Sequence, residues 1–189
     1  MERLDRPRRE QLGPDAQAVW DEVAGSRGTV VGPDGALVGP FNAWVQAPEV
    51  GGRLVALGST LRFESSIERR LLEVAIITVG AHWQAEFEWW AHARMASDHG
   101  VSDATIEAIA RGGRAELDRD DEQIVHDVAV SLVSTGRIDD ECYARARARL
   151  DTRAMIELVS LCGYYSLVSF TLNAFRVPLP AGAEPRWAG

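Results

Sequence analysis

Glu88 and His92 stand four residues apart in the stretch Glu86-Phe87-Glu88-Trp89-Trp90-Ala91-His92, and these are the residue types here that can move protons. In a helix the two share one face, which sets a carboxylate beside an imidazole among aromatic rings. A carboxylate that holds one ring nitrogen selects the tautomer and raises the basicity of the other nitrogen, making a proton-transfer couple. The same spacing serves equally well for a plain ion pair on a solvated helix face. A second acid, Glu73, interrupts the apolar run 71–79. Burying it unpaired would cost several kcal/mol or force it neutral, so it must face a partner, a pocket or the rim. Arg69, four residues before it, offers an ordinary ion pair.

Helix signals dominate the segments that must position these residues, and strand signals are nearly absent. The patterning predicts helices over 14–23, 48–63, 65–79, 83–99, a short one from Ser102 and Asp103, then 121–135, one from Asp139 or Asp140 to about 150, and 152–174. Ser65-Ser66-Ile67-Glu68 reads as a capping box at the start of the helix that holds Glu73. Gly100, Gly112-Gly113 and Gly136 read as stops. Residues 25–40, rich in Gly, Pro and Val around Pro33-Asp34-Gly35, read as a loop or short hairpin. Arg145, Arg147 and Arg149 circle their helix and read as a solvated or partner-facing surface. His126 reads as a polar-face residue and His99 as a helix C-terminal cation. The organisation predicted is a single domain: an N-terminal helix and loop extension over 1–47, a helical core over 48–175 and a C-terminal tail over 176–189. Arg69-Arg70-Leu71-Leu72-Glu73 is echoed by Arg153-Ala154-Met155-Ile156-Glu157, and Asn42-Ala43-Trp44 by Asn173-Ala174-Phe175. Either a duplicated helical unit or chance among common helix residues accounts for that echo.

Composition narrows the function. Twenty basic against 28 acidic residues leave a formal charge of -8, so no sequence-blind attraction to nucleic acid is expected. No apolar run reaches the roughly 20 residues a bilayer span needs, the last long helix being too short and too polar at its ends, and a cytoplasmic location is expected. Cys142 and Cys162 lack a C-x-x-C spacing and read as small buried hydrophobes. His82, Glu88 and His92 could supply metal ligands, and Glu122 with His126 repeats the Glu-x-x-x-His spacing. Neither matches H-E-x-x-H or the Glu-x-x-His of di-iron bundles, so no metal and no cofactor are expected.

The helix with Glu73, the Glu88-Trp89-Trp90-Ala91-His92 stretch, Ala96 and the Gly100-Val101-Ser102 break together resemble the carboxymuconolactone decarboxylase and alkyl hydroperoxidase D superfamily. Gly39-Pro40-Phe41-Asn42-Ala43-Trp44 and the segment from Gly163-Tyr164-Tyr165 to Phe175 resemble longer members of its decarboxylase-like branch. The resemblance spans roughly residues 39–180 and implies an all-α bundle of about eight helices that assembles as a homotrimer or hexamer. In the peroxidase branch the motif is C-x-x-C with a histidine four residues on. Its cysteine positions fall here on Ala85 and Glu88, which supply neither a nucleophilic nor a resolving thiol.

What the resemblance then implies is cofactor-free chemistry on a small carboxylated or lactone-like compound: decarboxylation or proton transfer. Loss of carbon dioxide from such a lactone leaves electrons delocalised toward the lactone oxygen and demands a proton at carbon. His92 is the expected proton donor, with Glu88 orienting it and Glu73 relaying the proton or polarising the site. His82, Trp83, Trp89, Phe41 and Asn42 are the expected substrate contacts. Because two ionised glutamates would repel an anionic substrate, one must be neutral or offset by arginine, with Arg62, Arg69 and Arg94 nearest in sequence. The alternatives are a non-catalytic small-molecule-binding or assembly protein of the same fold and a residual alkyl hydroperoxidase.

Overall fold

The helix with no polar side takes the middle of the molecule. In the computed structural model, which describes residues 2–27 and 30–187, helix α4 (Arg69–His82) is buried without a break from Arg70 to Ala81. A run such as Leu71-Leu72-Glu73-Val74-Ala75-Ile76-Ile77 offers solvent no face, so it is stable only when wrapped on all sides. The wrapping comes from α5 (Glu86–Asp98), α7 (Asp120–Thr135), α9 (Thr152–Phe175) and the shorter α6 (Asp103–Ala110). Outside these lie α1 (Pro14–Ser26), α2 (Phe41–Trp44), α3 (Pro48–Phe63) and α8 (Asp140–Arg147), with a 3-10 turn at Arg9–Gln11. The described residues are thus all-α, with nine helices where about eight are expected. The extra one is the four-residue α2, too short to show a period.

Local signals set most boundaries. Gly100 and Gly136 adopt φ of +88° and +70° and stop α5 and α7. Ser102, Asp139 and Asp151 each accept a backbone N–H at their helix starts, from Thr105, Cys142 and Ala154. The turn around Pro33-Asp34-Gly35 closes a small hairpin through Gly32 N–H to Ala36 O (2.8 Å) and Val38 N–H to Val30 O (2.9 Å). Residues 28 and 29 of that loop, and Met1, 188 and 189 at the ends of the expected segments, lie outside the described residues.

Three expectations need correction. The capping box at Ser65 does not form: α4 begins at Arg69, and the hydroxyls of Ser65 and Ser66 donate instead to Glu157 Oε2 of α9 at 2.9 and 2.8 Å. Burial works to raise the Glu157 carboxyl, yet Arg153 and the two serines hold it down to about 2, so a carboxylate from across the core outcompetes the helix amides. Helix α5 begins at Glu86, not Trp83, because Gln84 turns through a left-handed φ of 46°. Finally, α9 has 24 residues and a mean hydropathy of 1.4, long and apolar enough by length and composition to cross a membrane. Half of that stretch is buried, and Leu158, Leu161 and Tyr165 pack into the core.

Candidate functional site

Helices α4 and α5 bring the three candidate residues together. Glu73 on α4 is wholly buried, and Glu88 and His92 on α5 are only 4% and 5% exposed. The short link through Gln84 and Ala85 sets the two helices side by side. Gly80 lies at their contact, where a Cβ would stand at an ordinary van der Waals distance of 3.5 Å from Glu88 Cγ. His92 Nδ1 lies 2.6 Å from Glu73 Oε2, and the other oxygen of Glu73 lies 2.7 Å from Arg69 Nη2. The ion pair with Arg69, out of line for a hydrogen bond, and the contact with the imidazole are therefore both made, by the two oxygens of one carboxylate.

Electrostatics separates the two glutamates. Burial alone would raise Glu73, but His92, Arg69 and Arg62 together outweigh it and leave its pKa below the ordinary value. Glu73 is thus ionised and accepts the Nδ1–H of His92, which leaves Nε2 as the working nitrogen. Glu88 moves the other way: burial pushes its carboxyl up, with Glu73 adding to the push, and the attraction of His92 and Arg62 does not cancel it. Its Oε1 sits 3.1 Å from His92 Nε2, yet out of line for a hydrogen bond. The sequence spacing assigns the orienting role to Glu88; the geometry gives the short bond to Glu73 and puts Glu88 at the reactive nitrogen.

Both Glu88 and His92 line a cavity of about 120 Å³. Its walls are Phe41, Trp44, Phe87, Tyr164 and Tyr165, with Met95 and the guanidiniums of Arg27 and Arg62. Tyr165 presents its ring edge-on to the His92 imidazole, with centroids 5.3 Å apart. Tyr164 closes against Gly58, where a Cβ would meet its hydroxyl oxygen at 2.1 Å, so only glycine lets α3 approach this wall.

The expected contact set divides. Phe41 lines the cavity; His82, Trp83, Trp89 and Asn42 do not. Trp83 donates to Ser166 Oγ at 3.1 Å and packs against Phe170, while the half-buried His82 ring lies against Trp83. Trp89 is turned to the C-terminal segment and stacks edgewise on Trp187 at 5.2 Å. Asn42 is buried but donates to Asp5 O, tying down the N-terminal segment. Among the arginines, Arg69 is spent on Glu73 and on Arg62 O, and Arg94 is exposed outside the lining. Arg27, Trp44, Phe87, Tyr164 and Tyr165 were not singled out as site residues by the sequence. The tyrosines stood in the echoed segment, but no pattern marked Arg27, which follows the last residue of α1. With both Glu73 oxygens engaged and His82 packed elsewhere, the donors facing the cavity are Glu88 and His92 Nε2, fewer than the three protein ligands of a usual catalytic zinc.

The arrangement therefore couples an oriented imidazole to a carboxyl of raised proton affinity at the edge of a small aromatic cavity. Such a site can deliver or remove one proton at a bound carbon or oxygen.

No family model matches the chain, and no curated protein matches it. Solved structures do. The chain is similar to an uncharacterized peroxidase-related protein of Ralstonia eutropha JMP134, described as an alkylhydroperoxidase AhpD core, at 12% identity over 95% of this chain and 93% of that one, with a TM-score of 0.76. It is also similar to an uncharacterized peroxidase-related protein from Silicibacter sp. TM1040, at 16% identity over 95% and 92% of the two chains and a TM-score of 0.73. A putative antioxidant defence protein AhpD of unknown function from Agrobacterium tumefaciens matches at 15% identity, over 73% and 96%, with a TM-score of 0.64. At these identities the likeness shows the fold, which is AhpD-like.

Proposed function

We propose that the protein is a cofactor-free acid–base enzyme of the carboxymuconolactone decarboxylase type, acting on a small carboxylated or lactone-like compound. One observation carries the reading: the imidazole of His92 is held at Nδ1 by an ionised Glu73, while Nε2 meets Glu88 at the wall of a cavity. In the decarboxylation the bond to the departing carboxylate breaks and its electrons flow toward the lactone carbonyl oxygen. The protonated imidazole then gives its Nε2 proton to carbon, so one proton enters for each carbon dioxide released. Glu73 stabilises the imidazolium, and Glu88, raised by burial, returns a proton to Nε2 after the transfer.

Carbon dioxide release from a panel of carboxylated lactones tests this directly. The His92→Gln variant, with its helical signal intact, should lose about a hundredfold or more of turnover, and in deuterated water the wild-type product should carry one deuterium at carbon. Unchanged turnover in that variant would falsify the reading. A thiol peroxidase reading has less support here. Burial pushes the Cys162 thiol up to about 12 and raises that of Cys142 as well, and neither lines the cavity of His92. Dithiol-dependent consumption of a hydroperoxide should be at background, and consumption abolished by Cys→Ser substitution would reverse the order of the two.

A further inference from the structure

Two guanidiniums face the cavity, and among the described residues neither has a carboxylate partner. Arg62 Nη2 reaches only the thioether sulfur of Met95, at 3.3 Å, and its buried Nε has no partner at all. Arg27 bonds to neutral groups alone: Val55 O at 3.1 Å, Ser59 Oγ at 2.7 Å and Ser26 Oγ at 3.0 Å, with its plane over Phe41. Elsewhere in this core the rule is different. Arg69 meets Glu73, and Arg70 meets Asp121 and Glu122. Arg62 feels the ionised Glu73 at a distance, but a guanidinium stays charged under all ordinary conditions, and a half-buried one with no carboxylate bonded to it keeps donors that a bound anion would satisfy. Burial, together with the neighbouring Arg62, works against the charge on Arg27, which sharpens the demand.

We propose that Arg62, assisted by Arg27, is the carboxylate receptor of this cavity, and that the substrate is a single-ring carboxylate presented by that grip to His92. The planar fork of Arg62 matches a carboxylate with two parallel hydrogen bonds, and its unpartnered Nε–H is one of the donors such a grip uses. Size limits the rest of the ligand. A dry cavity of about 150 Å³ admits benzene, so about 120 Å³ walled by Phe41, Trp44, Phe87 and Tyr164 sets an upper limit of one flat ring. Chemistry then assigns the carboxylate a role. Two cations stabilise it as an anion in the ground state, which opposes its loss as carbon dioxide. It is the handle, and any group that departs is a different one, near Glu88 and His92. Only the orientation toward His92 rests on the proposed function; the receptor does not.

Titration calorimetry with benzoate and its neutral isostere benzamide tests the receptor without turnover. Wild type should bind benzoate at least about tenfold more tightly than benzamide. Arg62→Gln should abolish that preference and Arg27→Gln should reduce it. Arg62→Lys, which keeps the charge and loses the fork, should fall between, and it serves should Arg62→Gln fail to fold. Equal affinity for the two ligands in wild type, no benzoate binding, or a full preference in folded Arg62→Gln would each overturn the proposal. His92→Gln separates the two claims. It should keep the benzoate preference, and unchanged turnover beside an intact preference would sink the catalytic reading while the receptor stood.

Discussion

The chain contains two Glu-x-x-x-His pairs, one on each side of α4, and they come to opposite ends. On α5, His92 contacts Glu73 across the helix interface and keeps Nε2 at the cavity wall beside Glu88. On α7, Glu122 and His126 are both buried, yet each looks to a neighbour in place of the other. Glu122 takes Arg70 Nη1 at 2.5 Å, and His126 accepts the Ala115 N–H at Nε2 and donates from Nδ1 to Thr78 Oγ1. Helix α4 arbitrates through its own register. Arg70, Val74 and Thr78, four residues apart, face α7 and close that site, whereas Arg69, Glu73 and Gly80 face α5 and leave one nitrogen unspent. Equal spacing puts two residues on one face; the neighbouring helix decides whether either has anything left for a ligand. His126, expected on a polar face, is instead wholly buried, and it is affordable there because both of its nitrogens are satisfied.

Removing one carboxylate on each side should break the symmetry hardest. Glu73→Gln leaves the volume unchanged but withdraws the charge that fixes the imidazole and balances its protonated form. We expect turnover to fall roughly a thousandfold or more, measured as initial rate on whichever lactone wild type decarboxylates, with the fold retained. A loss under tenfold would mean that Glu73 is a structural counter-ion to Arg69. On the other side, Glu122→Ala takes one buried carboxylate from Arg70, which keeps Asp121 and Glu68. The expected outcome is destabilisation of about 1.5 to 3 kcal/mol in urea unfolding, with the rate per folded molecule unaltered.

Acid should destabilise the fold through the second site. Burial pushes His126 down to about 4, from an ordinary 6.5. Between those values the unfolded chain binds a proton that the folded chain refuses, so stability rises with pH there and is lost as pH falls from 6.5 toward 4. The full loss is about 3 kcal/mol. His126→Asn, which cannot titrate, should flatten the difference in urea midpoint between pH 7 and pH 4.5 by most of that amount. An undiminished slope would assign the acid lability to other groups.

What the sequence disclosed follows the range of the interactions. Glycine stops and Ser or Asp caps act within four residues, and Gly100, Gly136, Ser102 and Asp139 stand where the pattern places them. The apolar wrap of α4 was equally legible, because a helix without a polar face has one destination. Glu88 and His92 could be found from local spacing, and Glu73 from its misfit among aliphatic neighbours. Contacts between distant segments were not legible. Glu157 drawing the serines away from α4 spans about 90 residues of chain, and Trp89 turning to Trp187 spans nearly a hundred. Arg27 reaches the cavity only because α1 packs on α3, and nothing near it in sequence announces that. The echoed segments show the same limit: Arg69–Glu73 and Arg153–Glu157 both form ion pairs at 2.7 Å, but one glutamate also holds an imidazole and the other a loop.

The smallest expected effect lies where α4 meets the catalytic candidate. Gly80 is in the last turn of α4 with no positive φ, and a methyl there would stand 3.5 Å from Glu88 Cγ and 3.7 Å from its Cβ, in van der Waals contact without overlap. Gly80→Ala should therefore stabilise the protein by about 0.5 to 1 kcal/mol, through the lower entropy of the unfolded chain. The catalytic consequence is separable, because the methyl restrains the Glu88 stem without touching its oxygens. If Glu88 works from a fixed position, turnover stays within about twofold of wild type. A large fall in rate with the gain in stability intact would show that Glu88 swings toward Nε2 during the reaction, correcting the off-line 3.1 Å approach seen at rest.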